Sequence, residues 1–329
     1  MGDVLRDFCR SMGCKYGHPS EIKAGILAAE FAEHFLLSSQ PSLVEFHLLA
    51  DKLGIQVEAR SLPADLGAHH YFNRSAGKYW VEYQYEQWPG TSEFKLAHEF
   101  YEILQETFEE ETPYYCAPRH PSHPTCMAPH ANRFAAALLM NAKLVKRLAM
   151  ESGLDMIAMH RRFFKSYAAV AIRTVEVLGK DDSAEATDLL IAIYERDASG
   201  DASSSGSARE EFRAKYVLRT PGIKIARSKR RRALLSYPRD LFPHKGDVIL
   251  EQSIVDVVRQ TCRDAYLERV RGFDLWGWND LTVVVRPVFW FGDLAKILLI
   301  AVRHEHRHLL QPQLAALRPV VIPESYQRI

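Results

Sequence analysis

Phe94, Leu96, Ala97, Phe100, Ile103 and Leu104 fall on one stripe of a helix, and the breadth of that stripe leaves the surrounding chain little choice of architecture. The helix follows a turn at Pro89, Gly90 and Thr91, takes Thr91 or Ser92 as its cap and runs through Phe108. So broad an apolar face must be buried by neighbouring elements, and burial draws His98 close to the covered side. Glu99 and Glu102 lie within one turn of it. A buried ionisable cluster is costly unless it is partnered, and a metal ion is one such partner.

The elements that cover this helix are legible on both sides of it. Ile22, Ile26, Leu27, Ala29, Phe31 and Phe35 suit an amphipathic helix from Glu21 to Leu37, opening after Ser20, and Leu43 to Leu53 reads as a second one closed at Gly54. Short β-type runs follow at Ile55 to Arg60, Ala68 to Asn73 and Lys78 to Tyr85, the last two facing each other across Arg74 to Gly77 as in a hairpin. Downstream, Ala131 to Met140 and Lys143 to Met150 are helical, and Leu154 to Leu178 divides into two helices around Lys165 and Ser166.

Residues 198–208, ASGDASSSGSA, have the small polar composition of a flexible linker, which sets an N-terminal domain at 1–197 and a C-terminal domain at 209–329. In the latter, Ile254 to Val270 reads as a helix, while Leu281 to Trp290 and Ala295 to Arg303 read as strands joined through Phe291 to Leu294. Both domains are therefore expected to be α+β. Hydrophobic residues at 47% and charged residues at 25% fit packed cores and exclude a disordered tail protein. A net charge of +1 gives no global attraction to nucleic acid or membrane. Five Cys without framework spacing suggest a reducing compartment, and MGDVLRDFCRSMGCKYGH lacks the apolar run of a signal or membrane segment. A cytoplasmic location without membrane contact is expected.

His98-Glu99-Phe100-Tyr101-Glu102 is an H-E-x-x-E. In the related H-E-x-x-H, two His one turn apart grip a metal and the Glu activates its water. The order of helix, small sheet, F-K-L-A-H-E helix and A-N-R-F-A-A-A-L-L-M helix resembles the ImmA/IrrE family of metallo-endopeptidases, over residues 43–180. The resemblance implies a zincin-like fold, with His98 as the first zinc ligand and Glu99 as the general base. The chain departs from the pattern twice: Glu102 stands where the second His belongs, and His130, just before Ala131, stands where a ligand Glu is expected. Two imidazoles and one carboxylate are nevertheless conserved in number, a set that zinc accepts. The expectation is thus Zn²⁺ on His98, Glu102 and His130, with an open position for a water that Glu99 deprotonates.

By the same resemblance the substrate is a protein, a helix-turn-helix transcriptional repressor cleaved in a stress or mobile-element response, and the C-terminal domain is a sensor or docking module. The alternative is a catalytically inactive member that holds a repressor without cutting it, or that contacts DNA directly. For DNA contact the candidates are a helix-turn-helix extension over 148–178, set against simple helical packing, and the basic run Arg227, Lys229, Arg230, Arg231 and Arg232. Two further ligand-rich stretches compete for metal. Cys116, His120, His123, Cys126 and His130 match no standard zinc finger and read as scattered loop side chains, with Tyr114 or Tyr115 available to an oxyanion. His304-Glu305-His306-Arg307-His308 is formally H-E-x-x-H, but it follows an Ile, Leu and Val run and reads as a polar strand end, its outer His about 13 Å apart.

Overall fold

The structure, a computed structural model, describes residues 3–17, 22–63, 66–85, 89–111, 124–179, 187–196, 211–221, 223, 243–249, 251, 253–270, 281–317 and 320–321. They fall into two compact units, Met1–Leu144 with Phe163–Lys165, and Val145–Arg162 with Ser166–Ile329. No helix among the described residues is long and apolar enough to cross a membrane.

The first unit runs α1 (Asp3–Tyr16), α2 (Ala24–His34), α3 (Leu43–Leu53), β1 (Gln56–Arg60), β2 (Ala68–Asn73), β3 (Lys78–Gln84), α4 (Pro89–Glu111) and α5 (Pro124–Leu139). α1 was not among the expected elements, although Leu5, Phe8, Cys9 and Met12, all buried, recur at helical spacing. α3 opens on a reciprocal cap between Ser42 and Glu45 and stops at Gly54, whose φ of 70° suits a residue without Cβ. α4 begins at Pro89, ahead of the expected cap at Thr91 or Ser92. Proline fits a first helical turn because the N–H it lacks would have no partner there. Gly90 is required for a different reason: a Cβ would stand 2.2 Å from the Phe164 carbonyl oxygen.

The expected hairpin forms. β2 pairs antiparallel with β3, β1 pairs parallel with β3, and the order is β1-β3-β2, which leaves β2 at one edge. Asn73 Oδ1 accepts from Ser75 N and Ala76 N and shapes the turn that Gly77 completes at φ 63°. One core binds the unit. Leu96, Ala97, Phe100, Tyr101, Ile103, Leu104 and Phe108 of α4 are buried, with Phe100 against Phe46 of α3 and Tyr101 against Phe134 of α5. Burying each large apolar side chain contributes about 1.5–3 kcal/mol, so α4 is fixed by packing on several sides rather than by helix propensity.

The second unit is built on a six-stranded sheet of order β5-β4-β8-β7-β6-β9, from β4 (Leu189–Arg196), β5 (Phe212–Arg219), β6 (Ala265–Val270), β7 (Leu281–Trp290), β8 (Asp293–Arg303) and β9 (Val320–Val321). Helices α6 (Ala142–Ser152), α7 (Met156–Phe163) and α8 (Tyr167–Leu178) precede it in the chain. The division differs from the one expected at 198–208, a stretch that lies outside the described residues: β4 precedes it yet pairs with β8. The reason is hydrophobic. Leu189 to Tyr194 are buried on both faces, as only an interior strand can be.

The expected helix at Ile254 to Val270 is also shorter. α9 (Ile254–Thr261) stops at Cys262, which takes a left-handed φ of 54°, and Ala265 to Val270 becomes β6 because its alternating Ala265 and Leu267 complete the sheet's core. The β7–β8 hairpin forms as expected, closed by the two positive-φ residues Phe291 and Gly292. His304 to Leu310 is a 3₁₀ helix rather than a strand end, followed by α10 (Gln311–Leu317).

Candidate metal centre

α4 carries Glu99, Glu102 and Glu106 at spacings of three and four, which places the three carboxylates along one face with His98 at its margin. The sheet supplies the opposite wall. On β2, Ala68, His70 and Phe72 share a side with Tyr79 and Val81 of β3, and the alternation directs His70 onto the acidic face of α4. His70 Nδ1 lies 2.7 Å from Glu99 Oε2 and 3.7 Å from Glu102 Oε2, while its Nε2 lies 3.3 Å from Glu106 Oε1. The Tyr79 hydroxyl donates to the other oxygen of Glu106 at 2.7 Å.

His98 meets one of these carboxylates, that of Glu102. Its Nδ1–H donates to Asn132 Oδ1 of α5 at 3.0 Å, and its Nε2 faces Glu102 Oε1 at 3.1 Å. With Nδ1 carrying the hydrogen, the neutral ring and the carboxylate would oppose two lone pairs across that gap, so a proton or a metal cation belongs between them. Donor atoms about 2.0–2.2 Å from a tetrahedral zinc stand roughly 3.3 Å apart, which the His98–Glu102 separation approaches. Asn132 gives His98 the outer hydrogen bond that orients metal-binding imidazoles. The residues therefore fit a divalent cation. A second, overlapping donor set shares Glu102: one ligand atom each from His70, Glu99 and Glu102 lie within 4.8 Å of one another.

Without a cation the cluster is balanced by protons. Burial disfavours a charged His70, but the carboxylates of Glu106 and Glu99 prevail and raise its pKa from 6.5 to about 9. His98 is raised too, burial opposing and the Glu102 hydrogen bond favouring the charge. Glu106 is lowered, chiefly by its bond to His70. Burial and the Glu106 bond push the Tyr79 phenol far above its ordinary value.

Of the four residues expected from sequence, His98, Glu99 and Glu102 gather here. His130 lies on α5, two residues before Asn132, and its side chain is exposed. Cys116, His120, His123, Tyr114 and Tyr115 lie outside the described residues, as does the basic run Arg227 to Arg232. Sequence reasoning missed His70, Asn132, Glu106 and Tyr79. Glu106 had a signal in its spacing from Glu99 and Glu102, and Asn132 had one inside the A-N-R-F-A stretch; His70 had only strand alternation. The second H-E-x-x-H has no metal geometry, since first and fifth residues of a 3₁₀ helix point about 120° apart. His304 instead sits 3.1 Å from Thr282 Oγ1 and accepts from Arg307 at 2.9 Å. Over residues 148–178, α8 packs on β4 and β5 and its one basic residue, Arg173, is buried beside Glu176.

Residues 50–174 match the family model described as the IrrE N-terminal-like domain, Peptidase_M78. Among solved structures, a Mycobacterium tuberculosis transcriptional regulator is similar in fold, with a TM-score of 0.53 and 13% identity over 93% of this chain and 82% of that one. No curated protein matches the chain.

Proposed function

We propose, from the premise that residues 50–174 form an IrrE N-terminal-like domain, that this chain is a metal-dependent endopeptidase acting on a transcription regulator. The observation that carries the proposal is His98 Nε2 facing Glu102 Oε1 at 3.1 Å while Asn132 secures the other ring nitrogen, a two-ligand seat for Zn²⁺. His130 is the third ligand that the sequence pattern implies. When bound, the cation supplies Lewis acidity toward the peptide carbonyl and makes a water acidic near neutral pH. The chain's own residues do the remainder. Glu99, buried in the cluster beside His98, accepts the water's proton and returns it to the leaving amine. The helix-turn-helix class of substrate comes from the family resemblance, and the regulatory setting agrees with the fold shared with a transcriptional regulator.

The test is metal content by plasma mass spectrometry on purified wild type and on His98→Ala, Glu102→Ala and His130→Ala. Cleavage of helix-turn-helix repressors encoded beside the gene is then followed with and without Glu99→Gln. Wild type should carry zinc and cut, His98→Ala and Glu102→Ala should be empty, and Glu99→Gln should bind zinc without cutting. A wild type that takes up no cation refutes the proposal.

A second possibility draws on the three donor atoms of His70, Glu99 and Glu102 within 4.8 Å. A cation there would occupy Glu99 as a ligand and leave no base, making the chain a cation-dependent regulator that binds without cutting. Zinc lost in His70→Ala but kept in His98→Ala would favour it.

A further inference from the structure

Glu99 is reached by a side chain from outside the helix that bears the motif. His70, on the edge strand β2, donates from Nδ1 to Glu99 Oε2 at 2.7 Å and from Nε2 to Glu106 Oε1 at 3.3 Å, and Glu106 is held in turn by the Tyr79 hydroxyl at 2.7 Å. Glu99, His70, Glu106 and Tyr79 thus form one hydrogen-bonded chain that crosses α4, β2 and β3. The His70 side chain is only 11% exposed, and its ring packs beside Tyr79 with centroids 6.1 Å apart, so the imidazole has little room to rearrange. A base must sit within hydrogen-bond reach of the proton it takes, and such bases are commonly oriented by a third group.

We propose that His70 is the positioning residue for Glu99: it fixes Oε2 and leaves Oε1 to accept the proton, with Glu106 and Tyr79 fixing His70 itself. The inference rests on the metal-centre assignment made above. The zinc content of the His70 variants distinguishes this role from that of a cation ligand.

Wild type, His70→Ala and His70→Gln are compared as full-length chains, with His98→Ala as the ligand-loss control. His70→Gln retains a donor and much of the volume, and serves should His70→Ala not fold. Zn²⁺ binding is measured by calorimetry, kcat and KM with a quenched-fluorescent pool of mixed-sequence peptides, and the Glu99 carboxyl by its ¹³C resonance, assigned through its absence in Glu99→Gln. Both His70 variants should bind Zn²⁺ as wild type does, with kcat lowered roughly 10–100-fold, KM unchanged and the smaller loss in His70→Gln. The Glu99 resonance should move in His70→Ala whether or not the pool is cut. Loss of Zn²⁺ from His70→Ala, a wild-type kcat, or an unmoved Glu99 resonance overturns the inference alone. A wild type that binds no Zn²⁺ overturns the metal centre and this inference with it, and is recognised because the failure precedes any substitution.

Discussion

Raising the pH across the alkaline range should unlock the His70 cluster, and the size of the effect follows from the structure. His70 goes from 6.5 when solvated to about 9 in the folded chain. A group whose folded pKa is raised contributes stability that is fully present below the unfolded value and is lost as pH rises through the folded one. The window is therefore pH 6.5 to about 9. At about 1.4 kcal/mol per tenfold, the loss across it is at most about 3 kcal/mol, and it is reduced by solvent screening because the Glu106 side chain is 52% exposed even though that of His70 is only 11% exposed. Glu106, whose pKa is lowered, acts at the other end: its contribution is present above the usual carboxylate range and disappears on acidification. The assay is urea unfolding of the chelator-treated chain at pH 6, 8 and 10, with the His70 ring titrated in parallel by NMR. His70→Gln should flatten the alkaline limb while leaving the acid limb in place. A His70 ring that titrates near 6.5, or an alkaline limb identical in His70→Gln, would refute the reasoning.

Lys165, buried and paired with Glu93, should not tolerate loss of its charge: Lys165→Met leaves the half-buried Glu93 carboxylate without its cation and should cost about 3 kcal/mol, with most of it recovered in Lys165→Met combined with Glu93→Gln, as read by a double-mutant cycle in urea. Gly90→Ala should destabilise by about 1–3 kcal/mol despite alanine's better helix propensity, because the new methyl group meets the Phe164 carbonyl; an unchanged urea midpoint would contradict the close approach. Phe134→Ala should cost about 3–5 kcal/mol, since the ring is fully buried between Phe31 and Tyr101. His304→Ala and His308→Ala should leave zinc content at the wild-type level, because the 3₁₀ turn separates the two imidazoles.

Local pattern sufficed for much of the first unit. The stripe from Phe94 to Leu104 announced α4, the alternating runs announced β2 and β3, and Gly54 closed α3, because each of these depends on residues a few positions apart. It failed where one segment served two structures equally well. Ile254 to Val270 has enough apolar spacing for a helix, and only pairing with β7 turns its second half into β6. Likewise the polar linker composition at 198–208 was mistaken for a domain boundary, because no local property reveals that β4 pairs with β8, a strand a hundred residues later.

The same distinction runs through the metal centre. The sequence by itself determined that His98, Glu99 and Glu102 share one turn of a helix, since 3.6 residues per turn fixes that wherever the helix lies. It did not determine which imidazole stands opposite them. His130 enters through its place in a linear pattern and stands exposed on α5, while His70, which no linear pattern points to, lies nearly thirty residues ahead of Glu99 and is brought within 2.7 Å of it. That choice belongs to the tertiary structure, because alternation along β2 offers two faces and only the packing of the sheet on α4 decides which one is turned inward.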